Sequence, residues 1–116
     1  MLSIITEFRK GILFVRLSGN LDIKTKDMFN NKVTDTVKRS GITNLVINLH
    51  DVNNLDLIGI SELFLNYRLV NKNRGKSFIC SINKKISEVL RNSKLLRFIP
   101  ETNDELNAMR VIKWMN

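Results

Sequence analysis

The sequence predicts an α/β fold with a mixed sheet of about four to five strands, an N-terminal β-hairpin and about four helices. Two observations lead to this prediction: apolar runs of strand length alternate with helical patterns, and a tight turn separates the first two apolar runs. The charged fraction of 26% is ordinary for a globular protein. A chain of 116 residues is expected to form a single domain, residues 1–116, around one hydrophobic core.

The first two apolar runs predict the hairpin. LSIITEF and GILFVRLSG are separated by RKG, in which Gly11 favours a tight turn between antiparallel strands. Leu13, Val15 and Leu17 alternate with other residues along the second run. This period of two predicts a strand that is buried largely on one face.

A helix and a central strand are predicted next. The segment NLDIKTKDMFNNKVTDTVKRSG ends at Gly41, a typical C-terminal cap, and carries apolar residues at helical spacing. These residues are Met28, Phe29, Val33 and Val37. The continuous apolar run NLVINL (44–49) is typical of a central strand covered on both faces. We therefore expect the later strands to be parallel and joined by right-handed crossovers.

The C-terminal half continues the alternation. A helix is predicted from about Gly59 to Asn71, SFICSI (77–82) reads as another buried strand, and Asn83 can cap the helix KKISEVLRNS. LLRFI (95–99) predicts a short terminal strand or extended segment. The pattern TNDE, with Thr102 and Glu105 as a capping box, predicts the start of a last helix. The apolar stripe of that helix is expected to be Leu106, Met109, Ile112 and Trp114.

Charge and cysteine content narrow the function classes. The net charge of +8 is spread over several elements, without a dense basic tail or arginines interleaved with exposed aromatics, so a nucleic-acid role is disfavoured. The one cysteine, Cys80, is expected to be a core residue. No apolar run approaches the ~20 residues of a transmembrane segment, and the N-terminus lacks signal-peptide features. A cytoplasmic location is expected.

The sequence shows no recognisable catalytic set. It contains no P-loop, G-x-S-x-G or G-x-G-x-x-G motif. The only histidine, His50, is expected to be a partly exposed loop residue beside Asp51. Asp22, Asp51 and Asp56 lie near strand ends, where open α/β sheets bind ligands, but aspartate is also a common turn and cap residue. We expect no catalytic residue, no metal site and no cofactor.

The segment VNNLDLIGISEL (52–63) is unusual for the start of a helix. Positions at a helix N-terminus favour Ser, Thr, Asp or Asn, because these side chains satisfy free backbone N–H groups. Here Asp56 is followed by two aliphatic residues, Leu57 and Ile58. Either these two residues are buried in the core, or they face a binding partner.

Three segments, taken in order, resemble the STAS domain of bacterial anti-sigma factor antagonists. LSGNLDIKT (17–25) resembles the signature L-[ST]-G-E-L-D-x-x-[TN]. NLVINLHDVNNLDLIGISEL resembles the signature V-x-L-[DN]-L-x-x-[VL]-x-x-[IM]-D-S-[ST]-G-[LI]. RGKSFICSINKKISEVLRNSKLLRFIPETNDELNAM resembles the C-terminal half of the family. The resemblance covers roughly Ile4 to Ile112.

The resemblance implies a non-enzymatic regulatory module that binds an anti-sigma factor kinase. In the family, the kinase phosphorylates the hydroxyl residue before a conserved glycine, and the domain is then released. That phosphoacceptor position is Ile58 in this chain, so a phosphorylatable Ser or Thr is absent. The partner-binding residues that the resemblance implies are Asp22, Asp56, Leu57, Ile58 and Gly59.

Two functions are favoured at this point, ahead of a nucleotide-binding or nucleic-acid-binding role. The first is an anti-sigma factor antagonist-like module that binds a kinase-like anti-sigma factor without phosphorylation control. The second is an accessory or scaffold STAS subunit that binds the ATPase of an ABC-type lipid transporter or other STAS proteins, with its basic face near anionic headgroups. Asn20 stands where the first signature has Glu, and Ser61, the nearest hydroxyl, lies one turn into the helix and is not expected to replace the acceptor.

Overall fold

A five-stranded mixed sheet forms the centre of the molecule. The computed structural model describes residues 1–115. The strands lie in the order β1-β2-β3-β4-β5; β1 and β2 are antiparallel, and the remaining neighbours are parallel. This confirms the predicted mixed sheet with an N-terminal hairpin. The strands are β1 (Leu2–Arg9), β2 (Ile12–Leu21), β3 (Asn44–Leu55), β4 (Lys76–Cys80) and β5 (Glu101–Thr102).

Four helical stretches connect or follow the strands, as predicted. The first covers residues 26–40 and contains a π-helical turn, Asn30–Thr34, between two short α-helices. The α-helices are α1 (Lys26–Phe29), α2 (Asp35–Ser40), α3 (Leu57–Lys72), α4 (Lys84–Ser93) and α5 (Glu105–Met115). Phe29, Val33 and Val37, which are spaced four residues apart, are buried as expected. Met28 is exposed, so the predicted apolar stripe was wrong at this position.

The hairpin turn consists of Lys10 and Gly11. Both residues have positive φ angles, 54° and 77°, and Arg9 pairs directly with Ile12. Two-residue turns with positive φ at both positions match the right-handed twist of the flanking strands. The predicted turn is therefore present, and a lysine occupies one of its left-handed positions.

Helices cover both faces of the sheet, whereas the sequence predicted that β2 is buried largely on one face. The larger core lies on the side of residues 26–40, α3 and α4, whereas α5 covers the opposite side with Ala108 and Ile112. Phe14 in β2 is fully buried in the smaller core, so β2 is buried on both faces rather than largely on one. The period-two pattern of β2 could not reveal a helix that returns to this strand from the far end of the chain. Cys80 is buried there as predicted, and burial raises the pKa of its thiol to about 11.

The segment before α5 differs from the sequence prediction in two ways. Residues Leu95–Arg97 form a 3₁₀ turn rather than a strand or extended segment, and Lys94, which precedes this turn, has a left-handed φ of 66°. The short β5 pairs with β4 only after Pro100. Asp104, and not Thr102, caps α5: its carboxylate accepts a hydrogen bond from the Asn107 N–H at 2.8 Å.

Glu105 fixes the start of α5 to the sheet instead of closing a capping box. Its carboxylate accepts two hydrogen bonds of 2.8 Å from Arg16 and one of 2.9 Å from Asn48. The Arg16 hydrogen bonds hold the pKa of Glu105 below its usual value, although partial burial opposes this shift. Further along α5, Leu106 and Trp114 are exposed, so the predicted apolar stripe was wrong at both positions.

Candidate functional site

The candidate site lies where β2 and β3 end. These strands are parallel, and their last pairs are Asn20 with Asn54 and Leu21 with Leu55. The connection after β2 and the start of α3 therefore leave the same edge of the sheet side by side. Open α/β sheets place ligand sites at this carboxyl edge.

Asp22 organises the loop after β2. Its carboxylate accepts hydrogen bonds from the backbone N–H groups of Lys24 at 2.9 Å and Thr25 at 3.2 Å. The Thr25 hydroxyl accepts from the Asp22 N–H at 3.0 Å and donates to the Asn20 carbonyl at 2.9 Å. Asp22 thus shapes its own loop, while remaining partly exposed. Thr25 was missed as a site residue, although the quoted LSGNLDIKT motif contains it.

Asp56 caps α3, and the helix begins two residues before the predicted start at Gly59. The backbone of Asp56 is extended, and its carboxylate accepts a hydrogen bond from the Gly59 N–H at 2.8 Å. The carbonyl of Asp56 also accepts the N–H of Ile60 at 2.9 Å. Leu57 and Ile58 therefore occupy the first turn of the helix rather than the loop before it.

Gly59 brings the two connections together. A Cβ atom at this position would lie 2.2 Å from the carbonyl oxygen of Leu21 and 2.8 Å from the Leu55 side chain. Real Cβ atoms do not approach backbone oxygens this closely, so the first turn of α3 can rest on the end of β2 only with glycine here. This close approach sets the position of Leu57 and Ile58 relative to the Asp22 loop.

The exposure of Leu57 and Ile58 decides between the two alternatives that the sequence left open, core burial and contact with a partner. Leu57 is 73% exposed, which excludes the first of the two alternatives, core burial, for this residue; Ile58 is half-buried. Asp56 already caps the helix, and the two aliphatic residues have no capping role. Ile23, the residue after Asp22, is 61% exposed on the adjacent loop. We call Ile23, Leu57 and Ile58 the apolar mouth. Ile23 was not identified as a site residue from the sequence. The signal that could have identified it is the presence of an aliphatic residue within a polar turn.

The nearest hydroxyl group on α3 is already bonded to its own helix. Ser61 donates from Oγ to the Leu57 carbonyl at 2.9 Å, which is the local back-bonding expected of a serine inside a helix. The residue is exposed and lies one turn beyond Ile58. Ile58, the position that the family resemblance implies for the phosphoacceptor, carries an aliphatic side chain.

The aspartates near the strand ends do not converge on one centre. Asp51 lies beside His50, with 2.8 Å between its Oδ1 and the histidine Nδ1, and both side chains are exposed. His50 belongs to β3 and not to a loop as predicted, because this strand continues to Leu55. Within residues 1–115, no group of three or more His, Cys, Asp or Glu side chains could hold a metal ion.

One surface cluster departs from the expected separation of arginine and aromatic residues. Phe64 and Tyr67 of α3 pack against Phe98, with ring centroids 5.3 Å and 6.2 Å from the Phe98 centroid. The guanidinium of Arg68 lies 6.0 Å from the Phe64 centroid. The tertiary fold brings these residues together from separate segments, which is why the linear pattern did not reveal them.

Comparison with known proteins places this geometry in a family. A family model described as the STAS domain matches residues 3–109. The chain belongs to the STAS domain family. It is 31% identical over 108 residues to the anti-sigma F factor antagonist of Paenibacillus polymyxa, covering 93% of this chain and 92% of that protein. The predicted membership of the anti-sigma factor antagonist type is thereby confirmed.

Solved STAS structures share the architecture. An anti-sigma factor antagonist from Mycobacterium paratuberculosis superposes with a TM-score of 0.87 at 19% identity, covering 97% of this chain and 95% of that chain. The phosphorylated form of the Bacillus cell fate determinant SpoIIAA superposes with a TM-score of 0.72 at 17% identity, covering 94% and 99%. At these identities the likeness shows the fold alone. None of the helices in residues 1–115 is long and apolar enough to span a membrane.

Proposed function

We propose that this STAS domain is a non-enzymatic, cytoplasmic regulatory module that binds a kinase-like anti-sigma factor without phosphorylation control. The docking site consists of the loop after β2 and the first turn of α3. Its residues are Asp22, Asp56, Leu57, Ile58 and Gly59, joined by the exposed Ile23. One observation carries the proposal: Leu57 is 73% exposed in the first turn of α3, beside Ile58 at the expected phosphoacceptor position.

The apolar mouth supplies binding energy by burial. Fully burying a leucine or isoleucine side chain contributes about 1.5–3 kcal/mol relative to leaving it exposed. Interfaces concentrate their binding energy in a few such central side chains. Leu57 is largely exposed in the free protein, and it therefore gains most from a partner that covers it.

Asp22 and Asp56 have a positioning role in this proposal. Their carboxylates accept backbone N–H groups within their own connections, and these bonds fix the loop and the first helical turn. A docking surface that is preorganised in this way avoids the entropic cost of ordering on binding. Gly59 completes the arrangement by allowing contact with Leu21.

The absence of a hydroxyl at Ile58 determines the regulation. A phosphate at a docking surface adds nearly two negative charges and expels a partner by repulsion and desolvation. Ile58 cannot accept a phosphate, so the complex should persist in the presence of ATP. Its formation would then depend on the amounts of the two proteins.

A pull-down from native cell extract, analysed by mass spectrometry, tests the proposal. The proteins compared are the wild type, Leu57→Asp and Leu106→Asp. Leu106 is the matched control, because it is an exposed leucine in the first turn of α5, on the other face of the sheet. A kinase-like anti-sigma factor should be recovered with the wild type and Leu106→Asp, and should be lost with Leu57→Asp.

The alternative function predicts a different outcome. An accessory or scaffold subunit would recover the ATPase of an ABC-type lipid transporter, or other STAS proteins. If all three proteins recover the same ATPase or scaffold, the apolar mouth is not the deciding contact and the antagonist proposal is wrong. Ile58→Asp is a less suitable first variant, because half-burial of Ile58 makes it affect folding as well.

A further inference from the structure

Helix α5 has an exposed apolar side that no residue of the described chain covers. Trp114 is 90% exposed, and Val111 and Met115, which share its side of the helix, are 39% and 50% exposed. Large apolar side chains gathered on a surface mark interaction sites more often than isolated ones do. Helix α5 packs on the sheet through Ala108 and Ile112, which are neighbours of Val111 and Met115 on the helix surface, so the exposed side is held in a fixed orientation.

A cationic cleft adjoins this apolar side. It lies between α5 and the hairpin turn and has a volume of about 540 Å³. Its lining residues are Lys10, Ile12, Met109, Arg110, Ile112 and Lys113. Three lining residues are therefore apolar, three are cationic and none is acidic. Among residues 1–115, none of the three cations forms a salt bridge with a carboxylate.

The cationic cleft and the exposed apolar side of α5 share Arg110, and together they require a partner with two properties. The cleft favours an anionic group against an apolar floor, and the flanking Trp114 and Met115 favour an apolar layer close to that anion. A bilayer of anionic phospholipid combines both, because its phosphates lie at the surface above the acyl chains. Tryptophan is enriched at this boundary, and Lys and Arg on an amphipathic helix pair with the headgroups.

We propose that the outer side of α5, together with Lys10, docks this domain on an anionic phospholipid bilayer. The helix lies in the plane of the interface, with Arg110, Lys113 and Lys10 at the phosphates and Trp114 and Met115 inserted below them. This surface and the apolar mouth are on opposite faces of the sheet, since α3 and α5 pack on opposite sides. A partner at the mouth of α3 can therefore bind while α5 lies on the membrane.

Trp114 makes the proposal directly measurable, because it is the only tryptophan of the chain. The protein is mixed with vesicles of phosphatidylcholine and phosphatidylglycerol in equal parts, or of phosphatidylcholine alone. With the anionic vesicles, we expect a blue shift of the tryptophan emission and co-sedimentation that weakens as salt is raised. With the neutral vesicles, we expect little of either effect.

Two double variants with the same net charge distinguish binding through this surface from general attraction of the +8 protein to anionic vesicles. Each basic residue at an anionic surface changes partitioning roughly fivefold, so Arg110→Glu with Lys113→Glu should weaken it about 25-fold or more. The control, Lys38→Glu with Lys72→Glu, has the same net charge and changes exposed residues elsewhere. It should weaken partitioning less than about fivefold.

Three results would overturn the proposal. Equal loss of binding in both double variants would show attraction by net charge alone. Sedimentation without a shift of the Trp114 emission would show that α5 does not enter the interface. A wild-type dimer in solution that Trp114→Ala converts to a monomer would show that a second copy, and not a bilayer, covers this side of α5.

Discussion

Helices α3 and α4 both begin after a parallel strand, and both are capped by one extended residue. Asp56 accepts the Gly59 N–H at 2.8 Å, and Asn83 accepts the N–H groups of Lys85 at 2.8 Å and Ile86 at 3.3 Å. The next two residues differ completely: they are Leu57–Ile58 in α3 and Lys84–Lys85 in α4. One capping side chain meets the local backbone requirement. The two residues after the cap are therefore not needed for capping and can serve another role. Of these two helices, only α3 presents apolar side chains there.

The two helix starts are also held on the sheet by different forces. The Asn83 amide donates to the carbonyl groups of Leu49, His50 and Val52, at distances of 2.8–3.1 Å. The start of α3 is placed instead by the close fit of Gly59 against Leu21. Hydrogen bonds thus fix α4, whereas steric complementarity fixes α3.

The largest expected effect is at Gly59. Gly59→Ala should lower the free energy of unfolding by about 3 kcal/mol or more, because the new methyl group meets the Leu21 backbone and cannot be relieved by a rotamer change. Gly41→Ala is the control: Gly41 has a φ of 57° and open space around it, so only backbone strain of about 1 kcal/mol is expected. Urea unfolding of both variants measures the difference, and equal losses would refute the steric account.

Asn83 tests the hydrogen-bonded helix start. Asn83→Ala should cost about 2–3 kcal/mol, since it removes the α4 cap and leaves three strand carbonyls without their donor. Asn83→Asp keeps an acceptor for the cap but cannot donate to those carbonyls. Chemical denaturation should find both variants destabilised. A fully stable Asn83→Asp protein would mean that the amide contacts with β3 contribute nothing.

Asp56 should have a smaller effect than Asn83, because its carboxylate bonds only the helix N-terminus. Asp56→Ala should lower the free energy of unfolding by about 1 kcal/mol, whereas Asp56→Asn, which still caps, should stay within about 0.5 kcal/mol of the wild type. Thermal unfolding of the two variants measures this. A loss in Asp56→Asn as large as in Asp56→Ala would assign the effect to charge rather than to capping.

The start of α5 adds a charged anchor to the comparison. Glu105→Gln should cost up to about 1 kcal/mol near pH 7, a value reduced for solvent screening because the Arg16 side chain is 35% exposed. The pKa of Glu105 is lower in the folded state than its reference value of 4.5. Its contribution is therefore fully present above that reference value, and is lost as the pH falls through the lower folded pKa. Denaturation curves of wild type and variant should approach each other as the pH falls below 4.5 and through the lower folded pKa of Glu105; a difference that stays constant with pH would exclude the ion pair.

The smallest expected effect on stability is at Leu57. Leu57→Ser should change the free energy of unfolding by no more than about 0.5 kcal/mol, because 73% of the residue is exposed before the change. The same variant should weaken partner binding, which isothermal titration with the recovered anti-sigma factor measures. A large loss of stability would mean that Leu57 belongs to the core after all.

Local patterns predicted most of the architecture, and long-range contacts account for what they missed. The alternation of strands and helices, the hairpin at Gly11 and the cap at Asn83 depend on neighbouring residues, and all are present. The second covered face of β2 depends on α5, which returns from the end of the chain. The cap at Asp104 displaced the expected one at Thr102, because Thr102 is held in β5 by pairing with Cys80.

The same distinction applies to the candidate site. The motif around Asp56 and Gly59 was visible in the sequence, and so was the absence of a hydroxyl at Ile58. The start of α3 at Leu57 was not, because two aliphatic residues have no N-terminal preference that marks a boundary. The exposure of Ile23 depends on how the Asp22 loop lies beside α3, and this depends in part on the tertiary contact at Gly59.

Phosphotransfer on the recovered complex tests the central claim most directly. Wild type, Ile58→Ser and Ser61→Ala are each incubated with the anti-sigma factor and radiolabelled ATP, and both phosphate incorporation and the remaining complex are measured. The account predicts that wild type and Ser61→Ala take up no phosphate and stay bound, whereas Ile58→Ser is phosphorylated and released. Phosphorylation and release of the wild-type protein, abolished by Ser61→Ala, would contradict it, because the switch would then operate one turn further into α3.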